Sequence, residues 1–216
     1  MISTKKMDTA KCPQCHQESP LEMWTIIDAQ HDPILREQIF DGSLFAWQCE
    51  HCGNKIGVLN DLIYLDGANR FVVALNRKNR ENAIPIENWP EIKKENYDVF
   101  RVVHSFLGLC EKMVCFENGR NDRALELFKL LLISQMENDD VDYFVYEGED
   151  ESGLLMRAWK DGKQQGLFAA PPDLYIQMEE RMEQSGIEDA TDQLECIDQQ
   201  WAMHFMRERF AQVQSS

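Results

Sequence analysis

The stretch "CPQCHQES" at residues 12–19 places two cysteines three positions apart, and "CEHCGNK" at residues 49–55 repeats that spacing. Two intervening residues let a tight turn aim both sulfurs at one point, and two such turns complete a tetrahedron around a metal ion. Zinc suits four thiolates because it accepts them without any redox demand. The sequence therefore predicts one structural zinc ion with four ligands: Cys12, Cys15, Cys49 and Cys52.

Paired cysteines also serve other chemistries. "CPQCH" matches the attachment motif of c-type haem, but covalent haem implies export and leaves the second pair without a purpose. A thioredoxin-like redox pair needs a βαβ context that the flanks lack, and two disulfides would be unusual in a reducing cytosol. An iron or iron–sulfur centre uses the same four ligands and stays an alternative to zinc. His16 and His51 are interpreted as exposed or hydrogen-bonded imidazoles, because four cysteines already fill the shell.

Composition and charge narrow the class of protein. A chain of 216 residues with 44% hydrophobic and 28% charged residues can bury a core, in one large domain or two small ones. Residues 1–85 hold nine Lys and Arg against eleven Asp and Glu, whereas the rest hold thirteen against twenty-seven. The negative field of the second half repels phosphate backbones, so nucleic acid is an unfavoured partner. The absence of a long apolar stretch or a secretion signal predicts a cytoplasmic protein without membrane contact.

The chain changes character at residues 77–96, which contain two prolines and no sustained periodicity. This composition indicates a linker. We therefore expect an α+β protein in two parts. Residues 1–76 form a zinc-ribbon-like small β-sheet domain with one inserted helix, and residues 97–216 form an acidic α+β domain with a C-terminal helix.

In the first part, "LEMWTIIDA" at residues 21–29 is typical of a strand, and Asp32 followed by Pro33 predicts a helix that Asp32 caps and that ends near Phe40. Runs rich in β-branched and aromatic residues predict further strands. They are "LFAWQC", "KIGVLNDLIYLD" and "NRFVVALN".

In the second part, "YDVFRVVH" predicts a strand, and a helix is expected to end at Asn118-Gly119. Asn121 is expected to cap a buried helix containing "ALELFKLLLISQM". Three strands follow, "DYFVYEGED", "GLLMRAW" and "QQGLFAA", and then a helix that begins at Pro171-Pro172. A last helix is predicted from about Ala190, with an apolar stripe of Leu194, Ile197, Trp201 and Phe205.

The segments "CPQC", "DPILREQIFDGSLFAWQCEHCG" and "LIYLD" together resemble the CpXC family of bacterial and archaeal proteins. The resemblance covers about residues 10–76, and Glu50-His51 departs from it where the family name suggests a proline. It implies a zinc-ribbon-like domain with Cys12, Cys15, Cys49 and Cys52 as ligands. It implies no established activity.

The first functional hypothesis is a non-catalytic module that binds another protein or regulates it. It rests on the closed metal shell and on the absence of GxSxG, HExxH and GxxxxGK[ST] motifs from the sequence.

Two other hypotheses stay open at this level. A nucleic-acid-binding zinc ribbon would use the basic residues near the two cysteine pairs, with aromatic side chains for stacking bases. The residues are Lys5, Lys6, Lys11, Lys55 and Arg70, with Trp24, Phe45 and Trp47. An enzyme with a site between the domains would draw on His104, His204 or the acidic cluster around Glu147.

Overall fold

The computed structural model describes residues 3–78, 83–85, 89, 92–93, 96–136 and 140–214. Much of the predicted linker at residues 77–96 therefore lies outside the described residues. The fold is α+β, as the sequence predicts.

The elements of the first half are β1 (Thr4–Lys11), β2 (Glu18–Asp28), α1 (Pro33–Phe40), β3 (Ala46–Gln48), β4 (Lys55–Gly57), β5 (Leu62–Asp66), β6 (Phe71–Leu75) and β7 (Ala83–Pro85). Those of the second half are β8 (Val99–Val103), α2 (Phe106–Glu117), α3 (Asp122–Gln135), β9 (Tyr143–Asp150), β10 (Gly153–Lys160), β11 (Lys163–Ala170), α4 (Pro172–Ser185), β12 (Gln193–Glu195) and α5 (Gln199–Gln214). No helix in the described ranges combines the length and apolar character needed to cross a membrane.

A mixed seven-stranded sheet organises the molecule, in the order β1-β2-β5-β6-β8-β12-β7. Its central strands, β5 and β6, are buried along their whole length, which agrees with their continuous apolar sequences. Because side chains alternate between the two faces, Tyr64 and Val73 lie in one core with α1 and α2, whereas Ile63 and Val72 lie in another. The remaining sheets are the meander β9-β10-β11 and the short pair β3-β4.

The sheet joins strands from both sides of the predicted linker. β6 pairs in parallel with β8, from Phe71 opposite Val99 to Leu75 opposite Val103. The division into domains 1–76 and 97–216 stays a prediction. The strand pairing nevertheless means that the two segments share one sheet.

The predicted α1 is confirmed from Pro33 to Phe40, with the proline in its first turn. The prediction that Asp32 caps it through its side chain is wrong, since that side chain makes no capping hydrogen bond. The preset φ of Pro33 and the backbone bond from Leu35 N–H to Asp32 O define the start instead.

The helix predicted from about Ala190 is wrong at its start, because α5 begins at Gln199. Leu194 lies instead on β12, which pairs with β7 on one side and with β8 on the other. Leu194 is fully buried in one core of the large sheet. Tertiary pairing overrides the three- and four-residue periodicity here, so only Trp201 and Phe205 of the predicted stripe lie on the helix.

Candidate metal centre

Each Cys-x-x-Cys turn closes a β-hairpin. The first connects β1 to β2 and the second connects β3 to β4. In the first turn Cys12 N–H donates to Gln17 O at 2.9 Å, and in the second Cys49 N–H donates to Asn54 O at the same distance. The two turns therefore have the same backbone pattern, although they are far apart in the sequence.

The two turns also share a left-handed residue. His16 has φ of 61° and Gly53 has φ of 74°, each one position after the second cysteine of its pair. Their N–H groups donate to Cys12 O and Cys49 O, both at 2.9 Å. His16 and Gly53 therefore occupy equivalent positions in the two turns. Glycine adopts this conformation without strain, whereas histidine does so at a cost.

The four sulfurs gather into one cluster. Cys12 Sγ lies 3.6 Å from Cys52 Sγ, and Cys15 Sγ lies 3.6 Å from Cys49 Sγ. All four lie within 4.8 Å of one another. Since zinc–sulfur bonds are about 2.3 Å, a tetrahedral shell requires sulfur separations of about 3.8 Å. The four side chains therefore fit a metal ion bound by thiolates.

The cluster stands on a small apolar core of its own. Cys12 and Cys49 are buried beside Leu21, Met23 and Trp47, whereas Cys52 is exposed. The Trp47 indole N–H donates to Pro20 O at 2.8 Å, so the ring is fixed against β2. The sulfur cluster therefore packs on apolar side chains on one side and reaches solvent at Cys52.

The surroundings of the thiols favour partial ionisation. Burial raises the pKa of Cys49, but the Ser19 hydroxyl at 3.6 Å and nearby backbone N–H groups outweigh it and lower that pKa to about 6. The backbone N–H of Asn54 lowers the pKa of Cys52, whereas burial and the neighbouring cysteines raise it to about 12. Four adjacent thiolates repel one another, so a divalent cation is what would let all four lose their protons.

The histidines beside the cysteines stand outside the sulfur cluster. His51 Nε2 lies 3.1 Å from Glu18 O, as expected for a hydrogen-bonded imidazole. The group of ligand atoms that gathers in the described part of the chain contains cysteines alone.

Two hairpin turns that unite four thiols define a class of four-cysteine proteins whose site can hold a metal ion. A family model described as CpXC protein matches residues 10–129, more than half of the chain. The chain belongs to the CpXC family. The match passes beyond the segments that carry the resemblance and includes β8, α2 and the first part of α3. No curated protein and no solved structure is significantly similar to the chain.

Several of the residues that a nucleic-acid surface would use have partners within the protein. Phe45 and Trp47 are buried in two different cores. Lys5 lies 2.6 Å from Glu22 and over the Trp24 ring, and Arg70 donates two hydrogen bonds to Asp98. These basic and aromatic groups are therefore engaged within the protein.

The three catalytic candidates have separate partners on separate elements. His104 Nδ1 lies 2.7 Å from Asn76 O, and His204 Nε2 lies 3.1 Å from the Glu208 carboxylate on α5. Glu147 accepts two hydrogen bonds from Arg157 across the meander.

A buried charge cluster lies where β8, α2 and α3 meet, and no motif considered in the sequence predicts it. Arg101 is fully enclosed and donates to both oxygens of Asp122, at 2.8 and 2.9 Å. Lys112 Nζ lies 2.9 Å from the same carboxylate. Arg101 and Arg123 both reach Asp189, which precedes β12.

The cluster continues along the facing sides of α2 and α3. Lys129 Nζ lies 2.8 Å from Glu111 Oε1 and 2.9 Å from Glu126 Oε1. Asp122, Glu126 and Lys129 are spaced by four and three residues, which places them on one face of a helix. The same spacing is typical of a charged face exposed to solvent, so it does not by itself predict burial.

Proposed function

We propose that this protein is a non-catalytic zinc-binding module in which the four clustered thiolates hold one structural zinc ion. The zinc keeps two hairpins in a fixed relation and so shapes a surface for another protein. The observation that carries this proposal is the sulfur cluster, in which two pairs lie 3.6 Å apart and all four atoms lie within 4.8 Å of one another, close to the dimensions of a tetrahedral thiolate shell.

A closed four-thiolate shell leaves no position for an activated water or a substrate. The metal would therefore contribute stability and would supply no chemistry. Ser19 and Asn54 support the shell, because the Ser19 hydroxyl contacts Cys49 Sγ and the Asn54 amide reaches Cys12 Sγ at 3.9 Å. Hydrogen bonds of this kind orient ligands and moderate their charge.

Free thiols persist in a reducing compartment, so we expect the protein to act in the cytoplasm. A protein partner is supported by the position of β1 at one edge of the seven-stranded sheet, where an added strand can pair. Met7 on this strand is 65% exposed.

Metal analysis tests the zinc part of the proposal. The purified protein should carry close to one equivalent of zinc. The cobalt-substituted protein should show a tetrahedral thiolate spectrum that does not change with small anions or with pH from about 6 to 9, because an exchangeable water would titrate near pH 7. Iron in place of zinc, or a spectrum that responds to anions, would contradict a structural zinc site.

A pull-down tests the partner part. A protein captured by the wild-type chain should be lost with Met7→Asp and retained with Met203→Asp, which places the same charge at an exposed methionine of α5. Equal capture by both variants would show that the β1 edge is not the binding surface.

A further inference from the structure

Two adjoining cavities open over the buried charge cluster, away from the four cysteines. Their volumes are about 240 and 300 Å³, and they share lining from Ser105 and Gly108 at the start of α2 and from Glu111, Glu126 and Asp198. Pockets of about 300 Å³ and above hold small molecules, whereas one water needs about 30 Å³.

A buried carboxylate oxygen at these cavities has no hydrogen-bond partner. Glu126 is only 2% exposed and lines both cavities. Its Oε1 atom receives Lys129 at 2.9 Å and Lys112 at 3.4 Å, but its Oε2 atom is buried without a donor. Buried acceptors are nearly always satisfied, so this oxygen calls for a donor that the protein itself does not supply.

A second unpartnered polar atom belongs to a residue that lines the larger cavity. His104 Nδ1 lies 2.7 Å from Asn76 O, and a carbonyl only accepts, so Nδ1 carries the proton. Its Nε2 atom is also buried without a partner. A carboxylate oxygen only accepts, so a ligand that reaches Glu126 Oε2 must bring an N–H or O–H donor.

The charges around the cavities favour a cation. Glu111, Glu126 and Asp198 face Lys112 and Lys129, which leaves one negative charge in excess. Burial raises the pKa of Glu126, although the charges of Lys129 and Lys112 lower it. The two lysines therefore do not fully offset the cost of burying this carboxylate. An anionic ligand would meet the unpartnered carboxylate oxygen of Glu126 and is disfavoured.

The walls of the smaller cavity are apolar. Leu107, Ile133, Tyr143 and Val145 line it beside the carboxylates. A bare metal ion does not suit such walls, and within the described residues ligand atoms of three or more His, Cys, Asp or Glu side chains gather at the thiols alone. An organic cation with an apolar substituent suits both the carboxylates and the apolar walls of this cavity.

We propose that the smaller cavity binds a small primary amine, whose ammonium group donates to Glu126 Oε2 while its apolar part packs between Leu107 and Ile133. The site is independent of the zinc proposal, because none of its residues contacts the four cysteines.

Methyl and amide NMR of the full-length zinc-loaded protein tests the site with 2-phenylethylamine. The amine should shift the methyl signals of Leu107, Ile133 and Val145 saturably, and the neutral analogue 2-phenylethanol should bind far more weakly. Absence of saturable shifts would mean that the cavity holds ordered water only and would overturn the proposal. Equal binding of the alcohol would overturn the assigned role of the ammonium group.

Substitutions locate the binding group. Glu126→Gln should weaken amine binding by at least about tenfold, because a hydrogen bond to a charged group is lost. Glu180→Gln on the exposed face of α4 changes the same charge and should leave the affinity within about twofold. If Glu126→Gln fails to fold, Leu107→Trp fills the cavity without altering any charge and should abolish the shifts. Unchanged affinity in a folded Glu126→Gln or Leu107→Trp variant would overturn the site.

Discussion

At the scale of single residues, His16 and Gly53 make the same left-handed turn with different side chains. The strain of a Cβ atom in this region costs about 1–2 kcal/mol, which histidine tolerates better than most residues. We expect His16→Gly to raise the free energy of unfolding by up to about 1 kcal/mol and Gly53→Ala to lower it by about 1 kcal/mol. A Cβ atom at Gly53 meets nothing closer than the Gln48 amide at 3.7 Å, so its cost would be conformational.

Urea denaturation of the zinc-loaded variants measures both changes. His16→Ala serves as the control, because it keeps the Cβ atom and removes only the imidazole. A loss of stability in His16→Gly that His16→Ala reproduces would show that the ring makes a stabilising contact and that backbone strain is not the larger effect.

Asp122 is the residue whose ionisation should matter most to the buried charge cluster. Burial raises its pKa, but the charges of Arg101 and Lys112 hold the pKa of Asp122 well below its usual 3.8. A carboxylate with a depressed folded pKa stabilises the protein above the unfolded value, and this contribution is lost as pH falls through the folded value. Stability should therefore fall below about pH 4.

Asp122→Asn should cost about 3–5 kcal/mol at neutral pH, because it leaves buried cations without their anion. It should also flatten the acid side of the stability curve, measured by denaturation across pH. Asp173→Asn changes an exposed carboxylate in the first turn of α4 and should cost less than about 1 kcal/mol, through the lost interaction with the helix dipole, without flattening the acid side of the curve. If stability falls as steeply at acidic pH in Asp122→Asn as in the wild type, groups other than Asp122 are responsible for the acid sensitivity.

At the scale of elements, sequence predicts what depends on local signals. Asn121 caps α3 through its side chain, which accepts from the N–H groups of Arg123 and Ala124, as its place before the apolar run predicts. The strands of the meander also match their predicted segments. β1 was not predicted, because "TKKMDTAK" is polar and is a strand only through its pairing with β2.

The four-cysteine cluster and the buried charge cluster differ in how far the sequence predicts them. The four thiols are predictable because each pair is set by a three-residue spacing in a local turn. The charge cluster brings together Arg101, Asp122 and Asp189, which are far apart in the sequence. No local sequence pattern predicts that these three residues are in contact. Charged side chains on a helix usually face water, so their burial follows only from the tertiary packing.

Loss of the metal should act on the elements that carry its ligands. Cys49→Ser removes one thiolate, and metal binding is coupled to folding only where the ligands lie. We expect hydrogen exchange to increase in β3, β4 and the first turn, since Trp47 packs directly on Cys12 and Cys49, while the meander stays protected. Mass spectrometry of deuterated peptides measures this.

The control is Cys196→Ser, which changes a buried thiol in a different core and should retain zinc. Equal loss of protection in the meander and in the β3-β4 pair would show that the metal stabilises the whole fold.

At the scale of the whole molecule, one sheet spans the segment that composition marks as a linker. Arg77 and Lys78, at the start of the predicted linker, are exposed, and we expect trypsin to cleave after them. The fragments should still elute together in native size-exclusion chromatography, because β6 and β8 pair along five residues and α2 packs its buried Met113 against the sheet. Met113→Asp should let the cleaved halves separate, whereas Met203→Asp on the surface of α5 should not. Separation of the wild-type halves under native conditions would instead support two independent domains, each held by its own core, and the shared sheet would then contribute little to their association.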